Sequence, residues 1–121
     1  MAEDRLTLTG LKAFGKHGVF EHERANGQEF VIDVTVWLDT RAAAAEDDLA
    51  KTINYGELAE LIVAEIENDP VDLIETVAER IAALVLEQPL ASRVEVTLHK
   101  PSAPITVEFD DVSITIGRVR A

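Results

Sequence analysis

Cysteine is absent from the 121-residue chain, so neither a disulfide nor a thiolate metal site can form, which fits a reducing compartment. Basic residues are scarce as well. Lys and Arg number 11 against 23 Asp and Glu, for a formal net charge of −12. Without a basic face the chain is poorly suited to neutralise the phosphates of a nucleic acid or the surface of an anionic membrane. No apolar run approaches the ~20 residues of a spanning helix, and the opening MAEDRLTLTG holds no apolar leader segment. The expectation is a cytoplasmic protein that acts on neither nucleic acid nor membrane. A chain of 121 residues can bury one core but not two independent ones, so residues 1–121 are read as a single domain carrying one site.

What is present is strong alternation. In EFVIDVTVWLD, Phe30, Ile32, Val34, Val36 and Leu38 share one face, and Val31, Asp33, Thr35, Trp37 and Asp39 share the other. RLTLTGLKAF starts in the same way with Leu6 and Leu8, then changes parity to Leu11 and Ala13 across Gly10, which predicts a bulge. RVEVTLHK (Val94, Val96, Leu98) and DDVSITIGRV (Val112, Ile114, Ile116) supply two more one-sided strands. Between the two pairs, Leu58, Leu61, Ile62 and Ile66 fall at helical spacing behind Asn54 as N-cap, with Glu57 three residues on and Pro70 beyond the end. A second helical pattern runs from Asp72 through Ile74, Val77, Ile81, Leu84 and Val85 to about Gln88, before Pro89. TRAAAAEDDLA is read as a short additional helical turn.

The order ββααββ predicts an α+β fold, a four-stranded antiparallel sheet with two helices on its apolar face. The other face carries Thr7, Thr9, Thr35, Trp37, Glu95, Thr97, Ser113 and Thr115. It is either solvated or lines the inside of a ring in which sheets of several subunits join edge to edge.

Between the first two strands lies FGKHGVFEHERANGQEF, far more chain than the two-residue turn that such strands need, so this loop is expected to carry function. Each candidate residue also has an ordinary explanation. Glu75 stands three residues after Asp72, as in a capping box. Tyr55 lies in the first turn of the other helix. Lys100 ends a strand before PSAPI, where Pro101 and Pro104 restrict the backbone, and Glu23 lies among solvated charges. His17, His22 and His99 lack the spacing of a zinc site, so no metal is expected.

Their combination is more specific. The segments GxxxxGKHGVFEHER from Gly10, GQEFVIDVTVWLD, DDLAKTINYGEL, LIETVAERIA and VTLHKPSAPI…FDDVSI occur in an order and spacing that resemble bacterial dihydroneopterin aldolase, a pterin enzyme of the tunnelling fold. PITVEFDD departs from the family pattern, since many relatives have a second proline after the isoleucine. The resemblance implies that sheets of neighbouring subunits join into a barrel: a homo-oligomer, a tetrameric ring stacked to an octamer, with active sites between subunits. It implies a pterin substrate, no cofactor, and metal-free retro-aldol cleavage of 7,8-dihydroneopterin with epimerisation at C2′ as a side activity. By the same resemblance, Glu75 binds the aminopyrimidinone edge, and Ile74, Ile53 and Asn54 offer backbone contacts. Tyr55 stacks on the ring and relays protons from across the subunit boundary. Lys100 acts near N5, and Val19 and Glu23 approach the substrate side chain. Two rivals are a dihydroneopterin triphosphate epimerase on the same fold, using Lys12, Lys16 and Arg24, and a non-catalytic pterin-binding ring.

Overall fold

The computed structural model describes residues 4–120. At its centre is β2 (Gln28–Leu38), whose alternation buries Phe30, Ile32, Val34, Val36 and Leu38 on one side. β1 (Asp4–Gly15) and β3 (Arg93–His99) flank it, and β4 (Ser113–Val119) follows β3, giving an antiparallel sheet in the order β1-β2-β3-β4.

The bulge lies where the parity change placed it. Leu8 pairs with Val34 and Leu11 with Ile32, so Thr9 and Gly10 together face the single residue Asp33. Gly10 has φ 70°, a conformation costly for other residues. Its N–H donates to the Asp33 carboxylate at 2.8 Å.

Two helices cover the apolar face, α3 (Tyr55–Glu67) with Leu58, Ile62 and Ile66, and α4 (Ile74–Leu86) with Val77, Ala78, Ile81, Ala82 and Val85. Full burial of each Leu or Ile contributes about 1.5–3 kcal/mol. The edge strands are less covered, with Leu6, Leu8, Leu11, Ile114 and Ile116 only partly buried against the core. Among the described residues no helix is long and apolar enough to cross a membrane.

Asn54 caps α3 as expected, its side chain accepting the Glu57 N–H at 3.2 Å. The start of α4 differs from the sequence reading. Its N-cap is Leu73 with no side-chain cap, so Asp72 lies one residue ahead of the cap position and the expected Asp72–Glu75 box does not form; Asp72 instead pairs with the Arg24 guanidinium at 2.6 Å. Two shorter helices complete the order. α2 (Arg41–Glu46), followed by a 3-10 turn at Leu49–Lys51, fills the alanine-rich segment. α1 (Glu21–Asn26), inside the long first loop, was not expected from the sequence.

His17 pins that loop to the helical layer. It is buried, its Nε2–H donates to the Ile66 carbonyl at 2.7 Å, and its Nδ1 accepts the Val71 N–H at 3.1 Å. This pattern satisfies the neutral Nε2–H tautomer. Burial holds the His17 pKa below the ordinary value of 6.5, with Arg80, Arg24 and Lys100 adding to the effect against the hydrogen bond to Ile66. The unfolded chain therefore binds a proton near pH 6.5 that the folded chain refuses, and the His17 contribution to stability is lost as pH falls below that value. Denaturant midpoints measured from pH 8 to 5.5 should fall more steeply with acidification for the native chain than for His17→Gln, whose amide keeps one donor and one acceptor. Parallel curves would show that His17 titrates without cost to the fold.

Candidate functional site

The sharpest polar feature lies at the His99 end of β3. Lys100 directly follows that strand, and its Nζ pairs with Glu23 of α1 at 2.6 Å, with side-chain exposures of only 11 % and 3 %. A buried ion pair is seldom kept for stability alone, because desolvation offsets much of the Coulombic gain. The Glu23 carboxylate is also held by the Phe20 N–H at 3.2 Å and by the Gln28 amide at 3.2 Å. Burial pushes its carboxyl up, but the hydrogen bonds from Lys100, Phe20 and Gln28 and the Lys100 charge outweigh it, so the pKa lies below the ordinary Glu value. Glu23 is therefore a carboxylate at neutral pH.

Gly18 permits this arrangement. It lies at φ 154°, and a Cβ there would collide with the Glu23 carboxyl group. Its N–H donates to the Val71 carbonyl at 2.9 Å, and its carbonyl accepts Arg24 Nε–H at 3.0 Å. Arg24 thus ties the loop to Asp72, just ahead of α4.

Between loop and helix opens a cleft of about 520 Å³, lined by Val19, Arg24, Pro70, Val71, Asp72, Leu73 and Thr76. Val19 and Leu73 present exposed apolar surface there, at 67 % and 50 %. Ile74 and Glu75 form the first residues of α4 beside it. Glu75 is exposed, and with the cap of α4 at Leu73 its carboxylate is not consumed in a capping box. The first-turn N–H groups of a helix are unpaired within it.

Ile53, Asn54 and Tyr55 lie elsewhere. Tyr55 is the first residue of α3, whereas the carbonyl of Ile66, near the other end of that helix, is the one that binds His17. Eleven residues at 1.5 Å per residue separate them by roughly 16 Å. Tyr55 is 60 % exposed and Ile53 is buried. A larger cleft, about 640 Å³, opens at that end between Asp39, Arg41, Lys51, Ile53, Gln88 and Leu90. It is lined by neither Lys100 nor Glu75. Within one chain, then, Glu23 and Lys100 meet, Val19, Ile74 and Glu75 gather near the smaller cleft, and Tyr55 stands apart.

Sequence reasoning overlooked Gln28. Its amide donates to Glu23 while its Oε1 is buried without a partner among the described residues. A polar side chain at the first position of a strand gives no local sign of such a role. The histidines also separate: His17 serves the loop, His22 stacks on Phe20 at 5.7 Å, and His99 bridges Asp33 and Asp111.

Comparison with known proteins identifies the family. The family described as FolB, dihydroneopterin aldolase, matches residues 6–117. The chain is 58% identical over 117 residues to a dihydroneopterin aldolase of Streptomyces coelicolor, covering 97% of this chain and 98% of that one. It is 41% identical over 120 residues to a dihydroneopterin aldolase of Bacillus subtilis, over 98% and 99% of the two chains. The fold superposes on E. coli dihydroneopterin aldolase, solved in complex with neopterin, with a TM-score of 0.87 and 31% identity over 96% of this chain and 99% of that one.

Proposed function

The chain belongs to the FolB dihydroneopterin aldolase family, and from that premise we propose that its Glu23–Lys100 pair and Glu75, completed by Tyr55 of a neighbouring protomer, cleave 7,8-dihydroneopterin. The products are 6-hydroxymethyl-7,8-dihydropterin and glycolaldehyde. The observation that carries this reading is the buried Lys100–Glu23 pair at 2.6 Å, near the helix start where Glu75 is free of any capping role.

Glu75 accepts the adjacent N–H groups of the aminopyrimidinone edge, a geometry suited to a bidentate carboxylate. The backbone at Ile74 makes a further contact, and Val19 covers the substrate from the loop. Breaking the carbon–carbon bond leaves a carbanion equivalent. Lysine Schiff bases and metal ions are two ways to stabilise one, but the substrate's own C6=N5 imine can take the electron pair instead. Lys100 then protonates N5, directly or through water, as charge develops there. Glu23 holds the ammonium in place and faces the trihydroxypropyl chain. Tyr55, with water, removes the 2′-hydroxyl proton and later returns a proton to the enamine carbon, while N5 gives its proton back to Lys100 and the C6=N5 imine is restored. Re-addition without facial control would epimerise C2′.

The helix length between Tyr55 and Ile66, where His17 pins the loop that carries Glu23, supports a site shared between chains. So do the two sheet edges, β1 and β4, which invite edge-to-edge pairing into a ring with the threonine-rich face inward. Ile53 and Asn54 would then offer backbone contacts to the neighbour's pterin, and two such rings would stack to an octamer. The triphosphate epimerase is less well supported. A triphosphate needs available cations, and Arg24 is already engaged by Asp72 and the Gly18 carbonyl, leaving Lys12 and Lys16 in a chain of net charge −12.

Incubation of the protein with 7,8-dihydroneopterin and separately with its triphosphate, with and without a chelator, tests the reading. Glycolaldehyde should form from the first substrate only and be unaffected by the chelator. Epimerised triphosphate without glycolaldehyde would favour the rival, and loss of activity in chelator would overturn the metal-free route.

A further inference from the structure

The geometry points to His99 as a positioning residue for Lys100: clamped between Asp33 and Asp111, its ring fixes the end of β3 and the loop that follows, and through them the place of the Lys100 ammonium. The inference rests on the aldolase reading, because turnover is one of its readouts.

His99 Nε2 lies 2.8 Å from Asp33 and Nδ1 lies 2.6 Å from Asp111. Only an imidazolium can donate from both nitrogens. The hydrogen bonds to Asp111 and Asp33 raise the His99 pKa above 6.5 against the cost of burial. The contacts continue beyond the ring, since the other oxygen of Asp33 accepts the Gly10 N–H at the β1 bulge. One line of polar contacts therefore runs from the bulge across β2 and β3 to Asp111, two residues ahead of β4.

The consequence falls on Lys100. Successive strand side chains point to opposite faces, so His99 lies on the polar face while Lys100 turns toward Glu23. The loop 101–112 contains no strand or helix. Backbone bonds hold it at Lys100 N–H to Val112 O (2.8 Å), Ala103 N–H to Lys100 O (3.1 Å) and Ile105 N–H to Ala103 O (2.8 Å). The Asp111–His99 contact adds a side-chain tie at its far end. Other charged groups on that face are Lys12 of β1, aligned with His99 through Val31, Glu29 and Glu95 further along, and Arg5 and Arg93 at its far end beside Trp37; the β4 residue opposite His99 is the uncharged Ser113. Loss of the proton leaves a ring lone pair facing a carboxylate, so one of the two bridges fails and the strand end loosens.

The test compares variants with the wild type on 7,8-dihydroneopterin. His99→Gln should lower kcat on the order of 10- to 100-fold, the scale expected when an acid is misplaced, with the pterin Kd unchanged. Asp111→Asn supplies the second measurement. It should move the alkaline limb of the kcat–pH profile to lower pH, in step with the His99 ring titration followed by NMR. Full kcat in His99→Gln, or an Asp111→Asn profile that superposes on the wild type, would overturn the proposal. If His99→Gln does not fold, the Asp111→Asn profile decides. Should the wild type fail to cleave dihydroneopterin, the aldolase reading itself falls. The clamp is then judged by whether the Lys100 amide and side-chain resonances follow the His99 titration and shift with it in Asp111→Asn.

Discussion

Lys100→Gln should lose turnover of 7,8-dihydroneopterin by about 10²–10⁴-fold, the range over which a positioned general acid contributes, while binding the pterin nearly as well as the wild type. Glutamine is the informative replacement. Its amide can still donate to Glu23, which is 4 % exposed, whereas Lys100→Ala would strand that carboxylate and destabilise the fold by about 3–5 kcal/mol. A drop in kcat with unchanged affinity assigns Lys100 to the transition state rather than to substrate binding. Near-normal turnover in Lys100→Gln would remove the acid at N5 from the mechanism. The same variant locates the site. Refolded together with Tyr55→Phe, it should regain activity that neither variant shows alone, because some interfaces then pair an intact lysine with an intact tyrosine. A mixed oligomer as inactive as its parents would place the whole site within one chain.

Glu75→Ala should weaken pterin binding by about 2–4 kcal/mol, since the ring N–H groups lose a charged acceptor, equivalent to roughly 30- to 1,000-fold in Kd. Thermal stability should change little, because α4 is capped at Leu73 without help from Glu75. Calorimetric titration with neopterin, alongside thermal unfolding, separates the two roles. Unchanged affinity with a large fall in Tm would return Glu75 to a structural part at the helix start.

The elements that were legible in the sequence are those with local causes. Phe30 to Leu38 alternate because a strand presents successive side chains to opposite faces, and all five apolar members are buried. Gly10 announces the bulge because a parity change needs an extra residue, and Asn54 announces α3 because its side chain meets an N–H only three residues away. α1 was not legible. A helix of six residues is too short to be stable by itself, and it is held by the Glu23 pair to Lys100 and the Arg24 pair to Asp72, both remote in sequence. The capping box that the local pattern at α4 suggested is also absent: the helix starts one residue later, at a Leu73 cap, and Asp72 pairs with Arg24, 48 residues away.

The candidate side chains were named from spacing and resemblance, but their relations were not legible. That Glu23 and Lys100 form one buried pair, that Gln28 holds the same carboxylate, and that His99 joins Asp33 to Asp111 depend on strand register and loop closure across long stretches of chain. By itself the sequence determined the four strands, the two long helices, their apolar faces and the chemical groups each candidate residue offers, because these follow from interactions within a few residues of one another. Only the tertiary structure decided which charges meet and that the loop carrying Glu23 is pinned by His17 to the far end of the helix that Tyr55 begins. Packing two helices on a twisted sheet sets those distances, and no periodicity along the chain encodes them.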